Sequence, residues 1–263
     1  VVGLIILAVF AFAAVFAPWI TSFDPSALSV RDRLTPPNAT WWLGTDEFGR
    51  DVFTRLVYAG RVSLLVGAGV AFLSSIIGIV LGLLGGFFRR LDGIVSRVID
   101  AMMAFPDILL AISLVAALGG SVANVIIALS IVYAPRIARI VRASTLVIRE
   151  LTYVEAARAL GVSTWRIMLN HLLRNMVSPI IVQATFVFAY AMLAEAGLSF
   201  LGVGVDPETP TWGTMINAGR QYIGDAGWMI MSPGLSITAC VLALQIVGDG
   251  LRDALDPRIS KEL

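Results

Sequence analysis

The side chains that carry most enzyme chemistry are nearly missing from this sequence. It holds one histidine (His171), one cysteine (Cys240) and one lysine (Lys261), and the other eighteen of its nineteen basic residues are arginine. A single thiol makes neither an intrachain disulfide nor a cysteine metal site. His171, standing alone, reads as a surface or packing residue rather than a ligand. A phosphate-cradling GxxxxGK[ST] loop needs a lysine behind a glycine run, and Lys261 follows Ile259-Ser260 instead, so the chain does not hydrolyse ATP by that route. No nucleophile and base stand at a suitable spacing, which argues against an enzyme. What remains is charge pairing and docking by arginine, aspartate and glutamate. It is concentrated in Tyr153–Asn175, YVEAARALGVSTWRIMLNHLLRN, the longest strongly polar insert in the second half of the chain.

Within that stretch Glu155-Ala156-Ala157 is followed by Gly161. Ala, Arg and Leu dominate Glu155–Leu160 and favour helix. Gly161 can stop it, and Ser163 or Thr164 can cap a second short helix near Trp165. The spacing therefore predicts helix, glycine turn, helix. On the residues alone, a solvated loop of interfacial arginines is the alternative.

The elements that must hold this loop are apolar. The chain is 58% hydrophobic and 14% charged, with mean hydropathy +0.87, against about 25% charged in soluble domains. It reads as an all-α integral membrane protein, and its net charge of +1 suggests no nucleic-acid partner. Six runs are long enough to span about 30 Å of hydrocarbon: Val1–Phe23, Val62–Phe88, Val98–Leu118, Val122–Ile140, Met176–Ala194 and Ala226–Gly248. The first lacks a basic leader, which argues against a cleaved signal peptide, and Pro18-Trp19 mark its interfacial end. Glycines in the second favour close packing inside the bundle. Asp107, after Pro106, reads as a helix-end or hydrogen-bonded acid. Arg136, Arg139 and Arg142 share one helix face and can reach lipid phosphates or the interface. Pro25, Pro36 and Pro37 break the first polar segment. Glu195 closes the fifth run, and the stretch up to Arg220 reads as an irregular packed loop.

Six spans put both ends on one side. The loops after even-numbered spans and the tail carry thirteen arginines and lysines, and the opposite side carries six. The positive-inside rule therefore places the Tyr153–Asn175 loop and both termini in the cytoplasm. Within the spans Asn124 and Gln183 are the better candidates for a solute path or an interhelical bond, since serine and threonine there usually bond to their own helix.

Four strings carry a resemblance. The Glu155-Ala156-Ala157…Gly161 pattern resembles the EAA motif of bacterial ABC importer permeases. LGTDEFGRDVFTRLVYAGRVSL (Leu43–Leu64), LSFLGVGV with TPTWG (within Glu195–Arg220) and GDGLRDALDPR (Gly248–Arg258) resemble the C-type subunits of dipeptide, oligopeptide and nickel permeases. Arg174 departs from the pattern, standing where that family usually has proline. The resemblance implies a type I ABC importer permease fold in one transmembrane domain over residues 1–263. Its parts are a first helix (1–23), an extracytoplasmic segment (24–61), a five-helix core (62–250) with a cytoplasmic coupling loop (143–175), and a cytoplasmic tail (251–263).

The resemblance further implies a location in the inner membrane of a prokaryote, in contact with lipid. The partners would be a homologous second permease, two P-loop ATPase subunits that bind the ATP and Mg, and an extracytoplasmic solute-binding protein; the chain itself would hold no cofactor. Glu155, Ala156, Ala157, Leu160, Gly161 and Trp165 would form the ATPase-coupling site, with Leu160, Trp165 and Ile167 as its apolar face or, equally, as packing beneath the permease's own helices. Peptides are the implied cargo, with nickel or haem on the same architecture as alternatives. An ATP-independent carrier or channel is the rival class, and the scarcity of charge in mid-span disfavours the carrier.

Overall fold

The computed structural model describes residues 1–255. Arg258, Lys261 and the end of the expected tail lie outside the described residues. The architecture is helical, and among the described residues β-structure amounts to an isolated bridge between Thr45 and Asp51. The helices are α1 (Val2–Val15), α2 (Ala17–Ile20), α3 (Val52–Phe87), α4 (Arg89–Ala104), α5 (Asp107–Leu118), α6 (Val122–Ile148), α7 (Thr152–Ala159), α8 (Thr164–Arg166), α9 (Val177–Phe200), α10 (Trp212–Gly219) and α11 (Trp228–Leu255). Short 3₁₀ turns lie at Val30–Asp32, Leu173–Met176 and Arg220–Tyr222, and a π-helical turn at Ile167–Leu172. Four helical stretches are long and apolar enough to cross a membrane, and five if α4 and α5 count as one bent span.

The core is a parallel pair, α3 with α6. Gly78, Gly82 and Gly86 repeat at four-residue spacing and present bare backbone to Ile137, Val141 and Thr145. A Cβ at these glycines would lie 2.7, 2.6 and 2.6 Å from the facing Cβ atoms. Only glycine permits that approach, which is how helices associate where lipid offers no hydrophobic drive. The expectation of a helix packed inside the bundle holds. α9 and α11 run antiparallel beside this pair: Gly248 meets Thr185 at one end, and Cys240 touches Met192 further along. α1 lies on α11, where Gly3 packs against Ala243 and Val247.

The ends sort consistently. The C-termini of α3, α6 and α11 and the start of α9 share one end of the bundle. There Arg149 Nη1 donates to the Gly86 carbonyl (2.6 Å), and Ser178, Pro179 and Arg252 line one cleft. The other end carries the 24–51 segment, the 119–121 turn and α10. Trp228 Nε1 donates to the Thr45 carbonyl (3.1 Å), and Asp206 N donates to the Gly120 carbonyl (2.9 Å).

Several expected boundaries change. The third run, Val98–Leu118, does not form one straight span: α4 and α5 meet at 96°. Pro106 offers no N–H, and the residue before a proline is pushed out of the helical region, as Phe105 is at φ −83°, ψ 141°. The first run divides at Phe16, leaving 14 residues in α1 before the proline-bearing α2. α3 starts at Val52, inside the expected polar segment, because Asp51 caps it by accepting from Thr54 N (2.9 Å) and Thr54 Oγ1 (2.6 Å); such a cap contributes about 1 kcal/mol. Glu195 does not close the fifth run. It lies inside α9, 1% exposed, and accepts from Ser199 Oγ (2.8 Å). The following stretch is irregular only until the capping box of Thr211 and Thr214 opens α10.

Candidate functional site

The polar insert folds as helix, glycine turn, helix. α7 ends in a reciprocal C-terminal motif. Val162 N donates to the Ala157 carbonyl and Gly161 N to the Arg158 carbonyl, each at 3.0 Å, with Gly161 at φ +76°. That left-handed conformation is the reason for glycine at this point. Ser163 occupies the cap position of α8, but its side chain makes no capping bond. The chain then widens into the π-helical turn. Asn175 Nδ2 donates to the His171 carbonyl (2.6 Å) and to the Tyr153 hydroxyl (3.1 Å), tying the exit of the loop back to its entry. Arg174 lies exposed in the 3₁₀ turn beyond, so that exit is built without the proline of the pattern.

The two faces of the insert differ sharply. Val154, Ile167, Met168, Leu172 and Met176 are at most 2% exposed and join the α3–α6 core; Ala157, at 8%, faces the same way. Each large apolar side chain buried there stabilises the seat by roughly 1.5–3 kcal/mol. Glu155, Ala156 and Gly161 are exposed, and so are Leu160 (84%) and Trp165 (64%). The structure thus gathers five of the expected coupling residues on the free face and turns Ala157 inward. Ile167 packs beneath the chain's own helices. Two cations fix the insert to the rest of the bundle end. Arg149 bonds to the Gly86 carbonyl, and the Arg158 guanidinium stands 5.1 Å from the centre of the Phe87 ring.

The arginine ladder of α6 is paired within the chain. Arg136 pairs with Asp107, Arg139 with Asp100 (2.7 Å) and Arg142 with Asp92 (2.6 Å). Three parallel ion pairs therefore bind the bent α4–α5 unit to α6. Asp107 is both a helix-end and a hydrogen-bonded acid, as its position after Pro106 suggests.

Asn124 and Gln183 are not brought together. Asn124 Nδ2 donates to the carbonyls of Leu118 (2.6 Å) and Gly119 (3.2 Å), so it satisfies the end of α5. Gln183 lines a cleft of about 460 Å³ with Ile140, Pro179, Phe186 and Arg252. A larger polar cleft, about 720 Å³, opens at the opposite end between Glu47, Arg50, Arg55, Glu208, Arg220 and Tyr222. Sequence reading passed over its acids and arginines. Their mixed charge in a glycine-rich segment signals a folded loop, and nothing in the spacing says that it meets α10.

Comparison with known proteins agrees with this geometry. Residues 75–261 match the family model described as binding-protein-dependent transport system inner membrane component, and residues 1–37 match the N-terminal transmembrane domain of oligopeptide transport permease C. A Brucella abortus protein, named provisionally as a peptide transport system permease, is 52% identical over 261 residues, covering 99% of this chain and 88% of its own length. The dipeptide transport system permease DppC of Alkalihalophilus pseudofirmus is 46% identical, covering 98% of this chain and 86% of that protein. The di/tripeptide transport permease DppC of Pseudomonas aeruginosa is 45% identical over 98% and 87%. A chain of the inward-facing MetNI methionine ABC transporter superposes with TM-score 0.63 at 22% identity, over 78% of this chain and 97% of that one; this likeness is one of fold. The chain belongs to the binding-protein-dependent transport system inner membrane components, as a C-type permease subunit of an ABC importer.

Proposed function

We propose that this permease forms half of the pathway of a peptide importer and receives the ATPase stroke through α7 and the turn behind it. The exposure of Leu160 and Trp165 carries the reading. Two large apolar side chains stand in the open on a short polar loop whose other face is seated in the core. Exposed apolar groups rimmed by polar ones mark protein contacts. Glu155 adds a charge to that contact, and Ala156 allows close approach. ATP and Mg belong to two partner ATPase subunits, because this chain lacks the lysine-bearing phosphate loop. A homologous second permease completes the pathway, and a solute-binding protein delivers peptide to the end of the bundle that bears the Glu47–Arg55–Arg220 cleft. Peptide cargo is supported by the names of relatives that match nearly the whole chain.

In this reading α1 with α2, and α5 with the outer part of α4, cross the bilayer beside the four long helices, giving six crossings with both termini cytoplasmic. The excess of arginine at the coupling end supports that orientation. ATP binding drives the cycle only by favouring one of two packings through differential contacts, and the exposed face of the insert is where those contacts lie.

The test is purification of the complex in mild detergent with Glu155→Lys and, separately, Leu160→Asp. Each variant keeps its membrane level but loses co-purified ATPase and falls at least tenfold in dipeptide uptake. Unchanged uptake with unchanged co-purification removes the assignment.

A further inference from the structure

The Arg136–Asp107 ion pair lies where the third apolar run breaks. α6 has 27 residues and, at about 1.5 Å per residue, a length of about 40 Å. Arg136 is near its middle. α5 returns from the 119–121 turn for 12 residues, roughly 18 Å, little more than half of a hydrocarbon layer of about 30 Å. It starts at Asp107, level with Arg136, and the Phe105-Pro106 break is therefore at membrane depth. Non-helical backbone at that depth is stable only where protein encloses it or water reaches it. This chain does not enclose it, since Phe105 is 61% exposed.

The pair beside the break is also open. The Arg136 and Asp107 side chains are 30% and 36% exposed. Charges in mid-span that are left open in one chain face a water-filled cavity or a partner subunit rather than lipid. The Arg136 guanidinium lies 5.3 Å from the centre of the buried Tyr133 ring and 5.0 Å from that of Tyr190, which is itself 42% exposed. Two aromatic faces thus fix the guanidinium plane. The other two pairs of the ladder lie one and two turns nearer the end of α6 and have no aromatic neighbour of this kind.

We propose that Asp107, Arg136 and Tyr190 form a solute contact in the translocation path, selective for zwitterions with a carboxylate and an ammonium group, such as a peptide with free termini. The selectivity rests on the peptide reading above. The planar guanidinium matches a carboxylate with two parallel hydrogen bonds, and Asp107 accepts from an ammonium group. In the empty path the two side chains neutralise each other. A zwitterion replaces both halves of the pair at once and leaves neither charge alone, whereas a solute of one sign strands the opposite residue, a costly state away from bulk water. Sequence reading named Asn124 and Gln183 as path residues, because Asp107 and Arg136 are 29 positions apart and nothing in the spacing joins them.

The experiment uses the complete transporter, with its ATPases and binding protein, in nanodiscs. Tyr190→Cys in a Cys240→Ser background is treated with a hydrophilic thiosulfonate, with and without alanyl-alanine. The expected result is modification at position 190, slowed at least threefold by the dipeptide. No modification, as at a sealed contact with the second permease, or modification that the dipeptide does not slow, overturns the proposal. In proteoliposomes, Asp107→Asn and Arg136→Gln each lower alanyl-alanine uptake about tenfold with the ATPases still bound; full uptake by both also overturns it. If the wild-type complex imports no dipeptide, the cargo reading falls and the zwitterion preference with it, while labelling at position 190 still decides whether water reaches the break.

Discussion

Each arginine of the α6 stripe is held by an aspartate of the bent α4–α5 unit. Arg136, Arg139 and Arg142 are legible as one stripe because helical spacing dictates it. Their aspartates lie 29, 39 and 50 positions away, and only the bend between α4 and α5 brings them opposite. Glu195 teaches the same lesson in reverse. An acid at the end of an apolar run looks like a stop, yet it accepts a hydrogen bond from Ser199 one turn on and stays in the helix, almost fully buried. Glu195→Ala leaves the Ser199 hydroxyl without this acceptor. We expect the variant to lose about 1–3 kcal/mol, seen as a lower melting temperature of the detergent-solubilised complex, whereas Glu195→Gln, which keeps an acceptor, retains most of it. Equal loss in both would mean that the carboxylate, rather than the hydrogen bond, is what matters. The shape of the polar insert was easier to read. Glu155, Ala156, Leu160, Gly161 and Trp165 sit in a polar insert between apolar runs, and the turn needs only one left-handed glycine, a local requirement visible in local sequence.

Elements were legible in kind and less so in length. The long apolar helices stand out by composition, but their ends are set by groups that composition does not weigh: the Asp51 cap extends α3 outward, and Pro106 cuts the third run. The glycine stripe of α3 indicated tight packing without naming α6 as the surface. Its cost on substitution follows from geometry. Gly82→Val places side-chain atoms against Val141, and overpacking of this kind destabilises by about 1–3 kcal/mol, measurable by thermal unfolding or loss of membrane level. A Cβ added at the exposed Gly93 would meet no atom within 4 Å; Gly93→Ala is expected to be neutral or slightly stabilising in the same assay. Gly161→Ala has open space around it too, but at φ +76° it meets backbone strain of about 1–2 kcal/mol. Its expected signature is weakened ATPase co-purification together with a melting temperature lowered by a few degrees.

For the whole molecule, the proposed topology makes a direct demand. The 206–211 segment hydrogen-bonds to the 119–121 turn, at the end of the bundle opposite α7. Glu208→Cys, in a Cys240→Ser background, is expected to react with an impermeant maleimide in intact cells. Reaction only in inverted vesicles would reverse the orientation and return the exposed α7 face to the wrong compartment. One helix joins these two worlds. α3 has 36 residues and is therefore about 54 Å long. At one end it is capped by Asp51 and held to α10 through Trp212 Nε1, which donates to the Leu56 carbonyl (3.0 Å); at the other, its Gly86 carbonyl is held by Arg149 beside the insert. With α6 locked along its glycine stripe, the pair is a shaft rather than a relay. A tilt of about 5° shifts one end of a rod this long by about 5 Å relative to the other, so a small push beside the α7 insert moves the opposite end of the bundle by a comparable distance.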